Sequence, residues 1–243
     1  MAPKKKTINK AEIIEPDIIN FYSNKKVQKH MTKSINPNYD FHQISVPFRG
    51  ILIGSSGAGK TNLLMNIIVA MPNTFNHIFI YTKATEPLYD FLTTQLSSDL
   101  LTISYDLDDL RNFAEKNYYG QTLLVVDDMC LEKDQECISE LFVRGRKLAG
   151  GISLLYLSQS YYKIPKTIRL QSDYIFILKV GAVKDLNLIL SEYSLQATKQ
   201  QLKCMYKYCC GSGFGNFFLT DLKNTQDKTY RKNFREFLNI DDF

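Results

Sequence analysis

The stretch from Arg49 to Met71 decides the fold: RGILIGSSGAGKTNLLMNIIVAM. Its first apolar residues, Ile51–Ile53, predict a short strand that ends at Gly54. The turn Gly54–Thr61 matches the phosphate-loop pattern of a glycine, four residues and then Gly-Lys-Ser/Thr. A helix is predicted next, because apolar residues recur at helical spacing, namely Leu63, Leu64, Ile67, Ile68 and Met71.

This pattern suits the binding of nucleotide phosphates. Residues without bulky side chains let the backbone N–H groups wrap closely around an anion, and the following helix points its positive end at the same place. Lys60 would reach the β- and γ-phosphates of ATP, and Thr61 would place its hydroxyl on Mg²⁺. A chance glycine-rich turn is the alternative, but the strand before it, the helix after it and Gly57 within it disfavour that. The predicted nucleotide-binding residues are Gly54, Ser55, Ser56, Gly57, Ala58, Gly59, Lys60, Thr61 and Asn62.

Composition is that of an ordinary folded protein. The 243 residues are 44% hydrophobic and 23% charged, with a formal net charge of +5. That charge permits a nucleic-acid partner without requiring one. The five cysteines form no Cys-x-x-Cys and no zinc-like cluster, which favours reduced thiols inside a cell. We expect no membrane span, since no apolar run approaches ~20 residues, and no signal peptide in MAPKKKTINK.

Three regions are expected. Residues 1–40 form a basic arm, which is either a solvated chain or a contact for nucleic acid or localisation. Residues 41–222 form one α/β domain, because strand patterns alternate with helix patterns as in a doubly wound, mainly parallel sheet. Residues 223–243 form a mixed-charge tail. The segment Ile44–Phe48 is expected to add an edge strand.

The order of the predicted elements follows from periodicity and length. Strands are predicted near 75–81, 101–105, 122–127, 152–159, 174–180 and 216–221. Helices are predicted near 87–96, 109–117, 134–149, 184–193 and 198–207, with Asp134 as the N-cap of the third.

A second motif is Leu123-Leu-Val-Val-Asp127-Asp128, four apolar residues that end in two acids. It resembles a Walker B strand, in which Asp127 would hold Mg²⁺ and Asp128 would orient or deprotonate an attacking water. A buried strand followed by an Asp-rich turn is the alternative. An acid pair favours hydrolysis over phosphoryl transfer to a second substrate.

Other polar residues are candidates for the same reaction. Gln159 ends an apolar strand, where its amide could sense the γ-phosphate or simply face solvent. Arg144 and Arg146 lie at the end of a predicted helix, where they favour its dipole or serve as an arginine finger for a neighbouring subunit. Arg169 is a rival arginine.

Together these motifs, with LFVRGRKLAGGISLLYLSQSYYKIPKTIRLQSDYIFIL, resemble the FtsK–HerA superfamily of DNA-pumping ATPases. The similarity covers roughly residues 44–180 and is strongest to the genome-packaging branch of poxviruses, giant viruses and virophages, with the small size typical of a virophage member. It implies a RecA-like P-loop NTPase fold of the additional-strand, catalytic-glutamate type.

The resemblance implies a ring-forming, hexameric motor that hydrolyses ATP with Mg²⁺ and threads double-stranded DNA into a preformed capsid. Lys60 and Thr61 carry over as Walker A, Asp127 as the metal acid, Asp128 as the catalytic acid and Gln159 as the sensor. The superfamily often has Glu where Asp128 stands. Arg144 or Arg146 would be the trans finger, with Arg146 favoured.

Partners and location follow from the same resemblance. A capsid or portal vertex is the expected partner, and the expected location is the virion or the viral factory in the host cytoplasm. DNA would run past basic loops that contact phosphates, and the candidates, which could equally be solvated surface charges, are Lys163, Lys166 and Arg169. Two other functions stay open: a nucleotide or small-molecule kinase, and a nucleotide-binding assembly factor without significant turnover.

Overall fold

The computed structural model describes residues 20–29, 33–115, 120–129, 131–132, 134–148, 150–211, 213–224 and 228–243. By its contacts the chain divides into residues 1–33 and residues 34–243. In the first unit, a 3₁₀ turn at Phe21–Ser23 precedes helix α1, Lys25–Gln28. The side chains of Asn20 and Asn24 accept hydrogen bonds from the N–H groups of Tyr22 and Lys26 and so cap the two turns.

The second unit is built on one sheet, and the described part of it has nine strands. They are β1 Arg49–Ile53, β2 His77–Thr82, β3 Leu101–Ser104, β4 Thr122–Asp127, β5 Ile152–Ser158, β6 Tyr174–Ile177, β7 Phe218–Asp221, β8 Tyr230–Lys232 and β9 Glu236–Phe237. Their spatial order is β3-β2-β4-β5-β1-β6-β7-β8-β9. The strands from β3 to β6 in this order are parallel, and β7, β8 and β9 are antiparallel.

Helices cover both faces of the sheet. They are α2 Tyr39–His42, α3 Lys60–Ala70, α4 Pro87–Gln95, α5 Leu107–Glu115, α6 Glu136–Arg144, α7 Lys166–Gln171, α8 Val183–Glu192 and α9 Lys199–Cys210. Successive strand residues point to opposite faces. Residues such as Leu52 and Leu123 therefore pack with α3 and α4, whereas Ile51 and Leu124 pack with helices from α5 to α9. The parallel strands are apolar along their length because both faces are covered.

The predicted α/β fold with a mainly parallel sheet is confirmed, and most predicted elements lie within a few residues of the observed ones. Helix α6 is shorter than predicted, because it ends at Arg144 and a 3₁₀ turn follows at Gly145–Lys147. Its N-cap is Gln135, although the Asp134 carboxylate accepts a hydrogen bond from the N–H of Glu136 at 3.2 Å.

The prediction of an edge strand at Ile44–Phe48 is wrong. Strand β1, which follows this segment, lies inside the sheet with β5 and β6 on either side, so a strand formed by this segment could not pair beside β1. Ile44 and Phe48 are instead fully buried against the face that α3 covers.

The last residues of the chain extend the sheet. Residues 223–243, expected to form a tail, supply β8 and β9, and Arg231 of β8 is fully buried. Its guanidinium lies 3.1 Å from the buried carboxylate of Asp221 and donates to the backbone oxygen of His42 at 3.0 Å. The other predicted boundary, an arm over 1–40, stays a prediction. Within the described ranges, no helix is long and apolar enough to cross a membrane.

We expect Arg231→Ala to lower the free energy of unfolding by about 3–5 kcal/mol, because it leaves the Asp221 carboxylate buried without its cation. The matched control is Arg235→Ala, four residues on, which removes an exposed side chain. Denaturant unfolding of the three proteins measures the difference. Equal loss in both variants would mean that the buried ion pair does not hold β8 in place.

Candidate nucleotide-binding site

The phosphate loop Gly54–Thr61 follows the carboxyl end of β1, in the middle of the sheet. Its base is fixed by backbone hydrogen bonds, from Gly54 N–H to the Ser158 carbonyl at 3.2 Å and from Ser55 N–H to the Lys179 carbonyl at 3.0 Å. Gly57 and Gly59 have φ angles of +72° and +95°, a backbone region that residues with a Cβ atom rarely adopt. The sequence therefore needs glycine at these two positions for the loop to close.

Lys60 lies at the first turn of α3, where the free N–H groups and the positive end of the helix dipole face the loop. Its ammonium group donates a hydrogen bond to the Gly54 carbonyl at 3.2 Å, across the loop. Ser55 helps to fix the opposite side, since its hydroxyl accepts from Gly181 N–H at 2.7 Å. The loop is therefore concave, with one cation over it.

Asp127 is the last residue of β4, two strands away from β1. The hydroxyl of Tyr89, on α4, donates to its Oδ2 atom at 2.6 Å. Burial raises the pKa of the Asp127 carboxyl above its usual range, while the bond from Tyr89 and the charge of Lys60 act in the opposite direction. Burial also raises the pKa of Tyr89, so its hydroxyl stays a donor.

Asp128 and Gln159 follow neighbouring strands and approach one another. The amide nitrogen of Gln159 lies 3.4 Å from Oδ1 of Asp128. Asp128 has a φ angle of +57°, in the left-handed region that residues other than glycine seldom adopt. Such conformations cluster at functional sites.

One cavity of about 360 Å³ connects these groups. Its walls include nine of the predicted site residues: Ser56, Gly57, Gly59, Lys60, Thr61, Asn62, Asp127, Asp128 and Gln159. Gly54, Ser55 and Ala58 do not line it. The structure thus brings the phosphate loop, the acid pair and the glutamine to one place.

Magnesium suits this donor set. Mg²⁺ is usually held by one or two protein oxygens together with phosphate oxygens and water. The cavity offers the hydroxyl of Thr61 and the carboxylate of Asp127. Among the described residues, no group of three or more His, Cys, Asp or Glu could hold a metal by itself, which is the situation expected where phosphates supply the remaining ligands.

The two candidate finger arginines lie at the opposite edge of the sheet. Arg146 is near the amino end of β1, with its Nη1 3.9 Å from Oδ1 of Asp173, which also pairs with Arg49. Arg144 is 70% exposed and contacts only Glu140 among the ion pairs described, at 3.9 Å. A five-residue strand is about 16 Å long, so neither arginine reaches the phosphate loop of its own chain.

The three basic residues considered for DNA differ from one another. Lys163, between β5 and α7, and Lys166, the first residue of α7, are both exposed. Arg169 is largely buried: its guanidinium pairs with Glu192 and lies 5.1 Å from the Tyr161 ring centre. Arg169 is therefore engaged in packing α7 against α8.

Sequence reasoning missed Glu86 and Phe214, which line the cavity, and Tyr89, which donates a hydrogen bond to Asp127. Tyr89 belongs to an ordinary helical pattern of apolar residues that gives no sign of a site, and only the fold places it beside Asp127. Phe214 had a local signal, because it stands in Gly211-Ser-Gly-Phe-Gly215, a second glycine-rich loop.

The fold and this cavity define the class of protein as a P-loop α/β protein. Solved structures of the same fold include the genome-packaging NTPase B204 of Sulfolobus turreted icosahedral virus 2. In complex with AMPPCP it is 18% identical, with a TM-score of 0.58 over 78% of this chain and 98% of that chain. A second is EssC from Geobacillus thermodenitrificans, which is 13% identical with a TM-score of 0.53 over 80% of this chain and 40% of that one.

The chain belongs to the poxvirus A32 protein family, whose model matches residues 38–212. Among curated relatives it is similar to the DNA packaging protein OPG160 of Variola virus, at 27% identity over 135 residues, or 50% of this chain and 49% of the relative. The protein of the same name from Monkeypox virus is also 27% identical over 135 residues, 44% of its length. The chain thus spans about half the length of the curated relatives it matches.

We expect Tyr89→Phe to raise the pKa of Asp127 further, because the carboxylate loses the hydroxyl that donates to it. Titration of the Asp127 carboxyl by carbon-detected NMR measures this. Tyr162→Phe, which alters an exposed tyrosine outside the cavity lining, serves as the control. An unchanged Asp127 pKa in Tyr89→Phe would show that this hydrogen bond does not stabilise the charged form.

Proposed function

We propose that this protein is an ATP-hydrolysing motor that moves double-stranded DNA into a preformed viral capsid. One observation carries the proposal: Lys60, the acid pair and Gln159 line a single cavity at the carboxyl edge of the sheet, in a chain of the poxvirus A32 protein family. The curated relatives named above are DNA packaging proteins, and B204 is a genome-packaging NTPase.

Each residue has a stated role in the proposal. The loop Gly54–Asn62 binds the phosphates through backbone N–H groups, and Lys60 neutralises their charge. Thr61 and Asp127 hold Mg²⁺, which would offset charge on the phosphates. Asp128, turned into the cavity edge, orients the attacking water and accepts its proton, and Gln159 positions Asp128 and that water.

The arginines act between copies of the chain. Because Arg144 and Arg146 lie at the amino edge, a strand length from the loop, a finger can serve only the cavity of a neighbouring subunit. Arg146 is the better finger, since its guanidinium is held only loosely by Asp173, at 3.9 Å, and its side chain is 45% exposed. Asp173 pairs more closely with Arg49, at 2.9 Å. This arrangement calls for a closed ring, which we propose to be a hexamer.

DNA passes through the centre of the ring, past exposed lysines. Lys163 and Lys166 are suited to contacts with phosphates, whereas Arg169 is not, because Glu192 already neutralises it. The ring would dock on a capsid or portal vertex, in the viral factory or the virion.

The test is ATP turnover by purified protein with and without long double-stranded DNA, at two salt concentrations. We expect DNA to stimulate turnover and the stimulation to weaken as salt rises, since phosphate contacts release counterions. Lys60→Ala should abolish turnover through lost binding, and Asp128→Asn should keep ATP binding but lose turnover. Turnover that ignores DNA would favour a kinase, and binding without turnover would favour an assembly factor.

Mixing subunits tests the finger. Adding Arg146→Ala subunits to wild-type protein should depress turnover below the average expected from the composition, because each variant removes a charge from its neighbour's cavity. Arg144→Ala, which also removes an exposed arginine at the end of α6, is the matched control. The turnover of its mixtures with wild-type protein should equal the average expected from the composition. Strict proportionality for Arg146→Ala would rule out a trans role for that residue.

A further inference from the structure

Phe214 is exposed over the phosphate loop although it is an apolar residue. It lies in the loop between α9 and β7, with 75% of its surface accessible. The neighbouring glycines, Gly213 and Gly215, have φ angles of +109° and +81°, which side chains disfavour. The local sequence is thus specialised to hold one aromatic ring in an unusual position.

The Phe214 ring lines several cavities, and two of them also share Asn62. The ring lies against Gly59, so that a Cβ atom at Gly59 would be 3.0 Å from its Cζ atom. On one side the ring lines the cavity that contains Lys60 and the acid pair. On the other it lines a cavity of about 320 Å³, between the first turns of α3 and the residues 214–217. Phe214 and Asn62 are common to both cavities.

The second cavity is lined by amides and aromatic rings. Its walls include Asn62, Asn66, Asn216, Asn233 and Phe234. Two of the amides are fixed, since Nδ2 of Asn233 donates to Oδ1 of Asn216 at 2.9 Å and Oδ1 of Asn233 accepts from Phe217 N–H at 3.1 Å. Amide side chains both donate and accept hydrogen bonds, as the edge of a nucleobase does.

The direction of a bound nucleotide follows from the first cavity. Asp127, Asp128 and Gln159 lie on the β4 and β5 side of the loop, so the γ-phosphate of a nucleoside triphosphate faces that side. Its α-phosphate and nucleoside then extend the other way, past Asn62 on the first turn of α3. Phe214 and the second cavity lie there.

We propose that Phe214 is the stacking platform for the base of a purine nucleoside triphosphate, and that the base occupies the amide-lined cavity between α3 and residues 214–217. The proposal rests on the function proposed above. It adds a binding site for the base, which is the part of the nucleotide that the phosphate loop does not contact. Purines are favoured because their larger ring system covers more of the phenyl face.

Comparing the binding of two ligands, one with a base and one without, distinguishes a contact with the base from a contact with the phosphates. Calorimetry would compare a non-hydrolysable ATP analogue with inorganic tripolyphosphate, which has no base. We expect Phe214→Ala to weaken binding of the ATP analogue about tenfold, as loss of base–aromatic stacking does, and to leave tripolyphosphate binding unchanged. Phe91→Ala, which removes a phenyl ring that is 53% exposed and lines neither cavity, should change neither affinity.

A gain-of-signal variant gives a second measurement. The chain has no tryptophan, so Phe214→Trp introduces a single fluorophore that can still stack on a base. Its fluorescence should be quenched by the ATP analogue and not by tripolyphosphate, whereas Phe91→Trp should respond to neither. Retained affinity for the ATP analogue in Phe214→Trp supports the stacking role.

The outcomes are distinct. The base site is wrong, and the proposed function stands, if Phe214→Ala weakens the binding of both ligands equally or of neither. The same holds if the fluorescence of Phe214→Trp does not change when the ATP analogue is added. If wild-type protein binds neither ligand, the proposed function fails and the base site fails with it.

Discussion

The candidate site depends on the alignment of three parallel strands at one edge of the sheet. Ile53 of β1 is paired with Ser158 of β5, and Asp127 of β4 is paired with Leu157 of β5. Gly54, Asp128 and Gln159 are therefore the residues that emerge where the strands end. Because strand side chains alternate between faces, a slip of one residue in register would move every side chain of the strand to the opposite face of the sheet. The buried apolar residues on both faces prevent this slip, so core packing also sets the geometry of the cavity.

The opposite edge is held by a buried ion pair. Arg49 begins β1, and its guanidinium and backbone N–H both contact the Asp173 carboxylate, at 2.9 Å in each case. The same guanidinium donates to the Phe142 carbonyl near the end of α6, next to the turn that carries Arg146. The Arg49 guanidinium and the Asp173 carboxylate, which directly precedes β6, thus tie β1, β6 and α6 together.

Local patterns predicted most of the fold, because a phosphate loop and continuous apolar strands are specified by nearby residues. What they did not predict depends on contacts distant in the sequence. Strand β8 includes Arg231, which is compatible with burial only because the Asp221 carboxylate on β7 pairs with its guanidinium. Tyr89 belongs to the site only because β2 and β4 are neighbours, which places α4 beside Asp127. The prediction of an edge strand at Ile44–Phe48 is wrong because no local sequence pattern shows that β1 lies inside the sheet.

The assignments of individual site residues stay predictions, but the sequence and the backbone agree at one of them. The resemblance to the FtsK–HerA superfamily leads one to expect glutamate after the metal acid, and this chain has Asp128. The structure gives that residue a φ angle of +57°. Aspartate is several-fold enriched in this left-handed region among residues other than glycine, because its short polar side chain can hydrogen-bond locally. Separately, the Asp128 carboxylate lies 3.4 Å from the amide nitrogen of Gln159, the residue that follows β5. A longer acid would lose this compatibility with the backbone, so the choice of aspartate follows from the turn that carries it.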